Sequence, residues 1–278
     1  MTVPISFEVY PPRNLEAAPV LFTAIDQLGK LDPRFISVTF GAGGTDTSGS
    51  IEVLSYIKNN TTAMPLAHLT CVGTTTSEIQ GLLQQFQAAG IRDFLALRGD
   101  LPDGMREIPL GSLQSADQLV TAIRDFQLGG QVAVAAFPNG HPESGADRKD
   151  ITALKAKQDA GADFAITQLF FYARDYLDFV ELAQASGVTI PIVPGIMPIT
   201  SPKRLARVLE LTLEREPVEL AQALAEASDL AARAETGIDW AANLVRELVV
   251  SGAPGIHLYA FNEYKNVTEV LRRAGVIS

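Results

Sequence analysis

The chain has 278 residues, 22 Lys and Arg against 32 Asp and Glu, and a formal net charge of -10. So acidic a chain has no general attraction for nucleic acid or for anionic lipid, which excludes both as expected partners. Cys71 is the only cysteine, which excludes an internal disulfide and a cysteine-based zinc site. A hydrophobic share of 47% allows a large core, and the length suits one α/β domain over residues 1–278. The chain opens without a basic stretch followed by an apolar one, and no apolar run is long enough to span a bilayer. Together with the lone cysteine, this predicts a cytoplasmic protein.

Short apolar runs alternate with longer amphipathic stretches. Ile5–Tyr10 reads as the first strand, and Leu15–Lys30 as a helix with Leu21, Ile25 and Leu28 on one face. Strand Phe35–Phe40 and helix Ser50–Asn59 follow, then strand Pro65–Cys71. Thr76 or Ser77 is the expected cap of helix Glu78–Ala89, which Gly90 ends. Next come strand Asp93–Leu97, helix Asp117–Phe126, strand Gln131–Phe137 and helix Ile151–Ala160. Strand Phe164–Phe171, helix Tyr176–Ala185 and strand Ile190–Ile196 continue the pattern. A helical region over Pro202–Val250 is expected to break near Pro217 and Gly237. Strand Ile256–Phe261 and helix Val267–Ala274 close the chain.

Eight strands alternating with helices imply parallel strands with helical crossovers. Eight is the count that closes a (β/α)8 TIM barrel, and an open doubly wound sheet is the competing arrangement.

In such a barrel the chemistry lies at the C-terminal ends of the strands. There the sequence places Glu8, Thr39, His68, the run Arg98-Gly99-Asp100, Asn139, His141 and Gln168. A carboxylate between Phe7 and Val9 should be desolvated, which raises its pKa and suits a general acid near neutral pH. The alternative for Glu8 is a structural ion pair, with Arg98 for example. Asp100 is either a hydrogen-bond acceptor beside a ligand or the cap of a turn. His68 and His257 read as core histidines. The loop Pro138-Asn139-Gly140-His141-Pro142 either grips a phosphate through backbone N–H groups or simply turns the chain. Gly41-Ala42-Gly43-Gly44 lacks the spacing of a dinucleotide fingerprint. Lys155 and Lys157 either reach a diphosphate or form a solvated helix face. No sequence pattern supports a metal site.

Taken in order, several of these runs resemble the methylenetetrahydrofolate reductase family. They are Phe7-Glu8-Val9-Tyr10-Pro11-Pro12-Arg13, Ser37-Val38-Thr39-Phe40-Gly41-Ala42, His68-Leu69-Thr70-Cys71 and Leu97-Arg98-Gly99-Asp100-Leu101-Pro102. His141-Pro142-Glu143, Asp159-Ala160-Gly161-Ala162, Ile166-Thr167-Gln168 and Pro194-Gly195-Ile196 continue the match, which covers residues 7 to about 262. The resemblance implies a barrel of the bacterial catalytic-domain form that binds FAD. It implies reduction of 5,10-methylenetetrahydrofolate to 5-methyltetrahydrofolate with NADH or NADPH, by ping-pong hydride transfer, in a homo-oligomer. It makes Glu8 the general acid. Asp100 would sit near flavin and pterin as a catalytic and substrate-binding residue. Gln168 and Arg204 would bind the folate. Thr39, Phe40, Ala42, His68, Arg98, Gly99, Asp100, Ala116, Phe137, His141, Asp150 and Lys157 fall at the FAD-contacting positions. The flavin carries the hydride chemistry, and the protein supplies orientation and electrostatics.

The chain also departs from the family's pattern. Phe137 stands where many relatives carry tyrosine, and Ala153 and Ala156 stand where polar or basic residues often face the FAD diphosphate. Lost charge-assisted contacts of that kind are worth about 1.5–3 kcal/mol each when buried. Arg204 and Val208 replace a glutamine and an aromatic, and Glu263 replaces the arginine of an Asn-Arg pair. Oxidation of 5-methyltetrahydrofolate, a variant with weak FAD binding, and a folate-binding subunit without reductase activity are the alternatives to the forward reduction.

Overall fold

A computed structural model describes residues 3–12, 14, 16–39, 47–100, 108–141 and 148–278. Among the described residues, nine strand segments and ten helices follow one another in the order the sequence pattern predicts, with the seventh strand in two pieces and the 202–250 region in three helices. They are β1 (Ile5–Val9), α1 (Ala18–Gly29), β2 (Phe35–Val38), α2 (Thr47–Asn60), β3 (Met64–Thr70), α3 (Thr76–Ala88) and β4 (Asp93–Leu97). Then come α4 (Ala116–Asp125), β5 (Val132–Ala136), α5 (Lys149–Asp159), β6 (Phe164–Thr167), α6 (Ala173–Ala185), β7 (Ile192–Val193) and β8 (Gly195–Ile196). The chain closes with α7 (Pro202–Thr212), α8 (Val218–Glu226), α9 (Leu230–Val250), β9 (Ile256–Tyr259) and α10 (Tyr264–Arg273).

All strand pairs are parallel, in the spatial order β7-β6-β5-β4-β3-β2-β1-β9-β8. β7 and β8 are two halves of one strand, parted at Pro194, whose nitrogen carries no donor. The first half pairs with β6 and the second with β9, so the strand joins the two ends of the sheet into a ring. The pairing therefore forms a (β/α)8 barrel rather than an open sheet.

Alternation along the strands divides the side chains between two cores. Phe35, Leu66, Leu95, Ala133, Phe164, Ile166 and Val193 fill the barrel interior as one apolar cluster. Residues of the opposite parity, such as Ile5, Phe7, Val9, Ile36 and Leu258, pack with Leu21, Ile25, Leu54, Leu83 and Val245 of the helices. Fully burying side chains of this size is worth about 1.5–3 kcal/mol each, so the two cores dominate stability. Leu205, Val208, Leu220 and Leu224 of α7 and α8 form a third cluster over Leu169, Phe171 and Ile199.

Three local expectations change. The cap of α3 is Thr75, not Thr76 or Ser77, and it forms a reciprocal capping box with Glu78. Gly237 does not break the helical region but lies inside α9. There its missing side chain admits the carbonyl of Ile199, 1.9 Å from where a Cβ would stand. The break falls at 227–229 instead, where Asp229 caps α9 through the backbone N–H of Ala232. Among the described residues, no helix is long and apolar enough to cross a membrane.

Candidate active site

The barrel mouth is built from positions of one parity. Ser6 and Glu8 of β1 lie in register with His257 and Tyr259 of β9, and Glu8 lies in register with Ser37 of β2 on its other side. His68 of β3 completes the group. Nε2 of His68 is 3.4 Å from Oε2 of Glu8, and Nε2 of His257 is 3.8 Å from the same oxygen. The Glu8 side chain is 20% exposed, His68 8% and His257 fully buried, so the carboxylate touches solvent on the mouth side alone. Neither imidazole Nε2 has a hydrogen-bond partner among the described residues. Behind them, Nδ1 of His257 lies 2.9 Å from Oγ of Ser6.

This setting changes the electrostatics expected of Glu8. Burial pushes its carboxyl up, and that is the largest single effect. The charge of His68 and the close polar contact and charge of His257 together outweigh it, and the carboxyl ends below its ordinary value. The expectation of a raised pKa is therefore corrected: two histidines, rather than apolar strand neighbours alone, face the carboxylate and hold it down. Burial also lowers His68 from the usual histidine range, and the neighbouring carboxylate only partly offsets this. The partners of Glu8 are thus imidazoles. Arg98, the arginine considered for that role, donates Nε to the carbonyl of Gly99.

The remaining expected residues divide into two groups. Thr39, Arg98, Gly99 and Asp100 lie where β2 and β4 end at the mouth, and Asp100 is exposed. Gly99 has φ +84°, a left-handed conformation that brings its backbone against Thr70. Gln168 follows β6. Its backbone N–H donates to Ala136 and its side-chain oxygen accepts from Leu169 N–H, while its amide NH2 makes no hydrogen bond among the described residues. Phe137 and His141 meet edge to face at 4.7 Å. Ala116 opens α4. Arg204, at the start of α7, lies over the ring of Phe261 at 5.5 Å and 3.9 Å from Glu263.

Asp150 and Lys157 on α5 are differently placed. Lys157 is buried and donates Nζ to the carbonyl of Ala135 at 2.7 Å, while burial pulls its pKa down to about 8. Asp150 is buried under Arg148, whose guanidinium grips the carboxylate at 2.9–3.3 Å and also reaches the carbonyls of Phe137 and Pro138. The solvated reading holds for Lys155, which pairs with Asp159, and not for Lys157. Ala153 and Ala156 face solvent. Phe40, Ala42, Pro142 and Glu143 lie outside the described residues.

Sequence reading missed Ser6, the orientation of His257, and Tyr259. The signal was available: Ser6 and Glu8 share a parity, and so do His257 and Tyr259, which puts these four polar groups on the inward side of neighbouring strands, beside Ser37 and His68.

The sequence signature of the family described as methylenetetrahydrofolate reductase matches residues 2–275. The chain is 34% identical over 276 residues to the 5,10-methylenetetrahydrofolate reductase of Escherichia coli, covering 98% of this chain and 90% of that protein. It is also 34% identical to methylenetetrahydrofolate reductase (NADH) 1 of Arabidopsis thaliana, of which it spans 48%. A Clostridium thermocellum protein described as binding two copies of 5-methyl-5,6,7,8-tetrahydrofolic acid superposes with a TM-score of 0.66. The superposition covers 98% of this chain and 94% of that one, and at 16% identity the likeness is one of fold. With the signature running nearly from end to end and a third of the residues shared with a bacterial reductase, the chain belongs to the methylenetetrahydrofolate reductase family.

Proposed function

We propose that the protein reduces 5,10-methylenetetrahydrofolate to 5-methyltetrahydrofolate with NADH or NADPH as donor, in two half-reactions that use one barrel mouth in turn. The observation that carries this reading is the Glu8 carboxylate at the mouth, backed by His68 and His257. A folate-binding protein without chemistry to perform has no use for an acid connected to buried imidazoles.

The mouth suits FAD on the side of β3 to β5. Phe137 and His141 form an aromatic wall there, and Thr39, Arg98 and Gly99 stand at the strand ends beside it. When bound, FAD supplies the hydride. At the diphosphate end, Lys157 and Asp150 would act from within the wall, shaping the backbone of β5 and the loop after it, because their charged atoms are already engaged.

The chain's own work on the folate is to hold it and to protonate it. The amide NH2 of Gln168 and the exposed carboxylate of Asp100 are placed to take the donors and acceptors of a pterin ring. Arg204 offers a guanidinium to the carboxylates of the folate tail. Glu8 delivers a proton through Oε2 to the folate nitrogen as the methylene bridge opens. Because its carboxyl is held low, it must gain that proton as the folate seats. Seating a ring removes the remaining water from the carboxylate, and this desolvation raises its proton affinity. Solvent at the mouth, which Glu8 still touches before the ring closes over it, supplies that proton. Behind Glu8, the Ser6 hydroxyl lies 3.4 Å from the Ile256 carbonyl and 2.9 Å from Nδ1 of His257, which holds that ring in place.

The test is an anaerobic absorbance experiment on purified protein supplied with FAD. Bleaching of the flavin band by NADH or NADPH and its return on adding 5,10-methylenetetrahydrofolate would establish both half-reactions. A protein that takes up no flavin, or a reduced flavin that the folate leaves bleached, would overturn the reading.

A further inference from the structure

We propose that Tyr259 is a positioning residue that fixes the spacing between Glu8 and Gln168, and so aligns the proton donor with the pterin ring. The proposal rests on the folate-reducing reading given above. Tyr259 lies in register with Glu8 on the neighbouring strand, and its ring meets that of His257 edge to face at 5.2 Å. Its hydroxyl does not face the carboxylate but passes over the seventh strand and donates to the carbonyl of Thr167, at 2.7 Å. Thr167 immediately precedes Gln168.

The gap that this bond fills comes from the broken strand. Pairing of β6 with β7 stops at Ile166 and Val193, because Pro194 follows and has no N–H. Gly195 N–H, which would resume the ladder, turns to the side-chain hydroxyl of Thr167 at 2.8 Å. The Thr167 carbonyl is left for another donor, and an unpaired buried carbonyl is costly. Only a glycine at 195 permits the crossing. A Cβ there would lie 2.4 Å from the Thr167 carbonyl oxygen and 2.9 Å from the Tyr259 hydroxyl oxygen. One side chain thus ties the strand beside Glu8 to the peptide that leads into Gln168. Gln168 is anchored on its far side by its N–H to Ala136.

The experiment compares wild type, Tyr259→Phe and Thr167→Val. The phenylalanine keeps the ring and removes the bond to the Thr167 carbonyl. The valine removes the bond from Gly195 and keeps that carbonyl, so it reports the cost of loosening the strand alone. Three quantities are read: flavin reduction by NADH, reoxidation by 5,10-methylenetetrahydrofolate, and the affinity of the flavin-free protein for 5-methyltetrahydrofolate. In Tyr259→Phe, folate-driven reoxidation and folate affinity should each fall by about threefold to tenfold, the worth of one ordinary hydrogen bond. Flavin reduction should stay within about twofold of wild type on the same scale. Thr167→Val should lower thermal stability without that split. Equal loss of both half-reactions in Tyr259→Phe, a split in Thr167→Val as well, or no change in folate affinity would overturn the role of Tyr259. Failure of wild type to bind folate or flavin would instead remove the underlying reading, and Tyr259's role with it.

Discussion

Nε2 of His68 and Oε2 of Glu8 face each other at 3.4 Å, too far for a strong hydrogen bond and close enough for each to set the other's charge. Burial disfavours the imidazolium of His68 and the carboxylate of Glu8 alike, while their mutual attraction favours both. With His257 added, the balance tips toward an ionised Glu8, and His68 stays below its usual range. The site therefore holds a carboxylate beside imidazoles, and under the proposed function the folate itself must complete the conditions for proton transfer.

If Glu8 is the acid, Glu8→Gln should separate the two halves of the reaction. Gln is close in size and neutral, so the barrel should hold its shape and flavin reduction by the nicotinamide should persist. Folate-driven reoxidation should fall by about 10²- to 10⁴-fold, the usual contribution of a positioned acid. Stopped-flow absorbance of each half-reaction decides it, and equal losses in both would assign Glu8 to structure instead.

His257→Gln tests the balance at the same carboxylate. Removing an imidazole that lowers Glu8 lets burial dominate, so the Glu8 carboxyl should move upward. If Glu8 is the acid, folate-driven reoxidation requires it protonated, so the decline with rising pH should move to higher pH than in wild type. The pH profile of that half-reaction is the measurement. An unmoved or downward-shifted limb would mean that His257 does not act on Glu8.

The barrel was legible in the sequence because each strand is a short apolar run and each helix has a face, and those periods survive without tertiary information. Glu8 was legible for the same reason, as a charge at a position where the pattern requires an apolar residue. The sign of its pKa was not, because it depends on His68, two strands away in the ring, and on His257, which is 249 positions on in the chain (257 − 8). Lys157 shows the same limit. Its helix has little amphipathic pattern, and only the packing of α5 on β5 reveals that the amine points into the wall. Gly237 misled because a glycine admitting a carbonyl and a glycine ending a helix look alike in one dimension.

Lys157 gives a pH-dependent prediction for stability. Its folded-state pKa is about 8, against an ordinary lysine value of about 10.5. Between these values the unfolded chain holds a proton that the folded chain has released, so stability rises with pH through that window. The rise from this group is about 3 kcal/mol, and below pH 8 its burial as a cation costs the fold by the same amount. Lys157→Met should remove that slope. Thermal midpoints of the flavin-free wild type and variant, taken from pH 7 to 10.5, should differ by an amount that changes across the window. A constant gap would show that the amine titrates as an exposed lysine does.

Two glycines inside helices should respond in opposite directions to alanine. At Gly81 in α3 a Cβ meets nothing within 4 Å, and the position is mid-helix. Gly81→Ala should therefore stabilise the protein by about 0.5–1 kcal/mol, through lower backbone entropy in the unfolded chain. At Gly237 in α9 the added methyl would stand 1.9 Å from the Ile199 carbonyl oxygen and 3.2 Å from the Thr200 nitrogen. The helix must move away from the segment that follows β8, and overpacking of this kind costs about 1–3 kcal/mol. Because Ile199 and Phe171 share the apolar cluster beneath α7, the displacement should also reach the helix that carries Arg204. Urea midpoints of the two variants test the stability signs. Folate affinity of Gly237→Ala tests the coupling, and a stable Gly237→Ala with normal affinity would mean that the close approach of α9 has no part in holding the mouth.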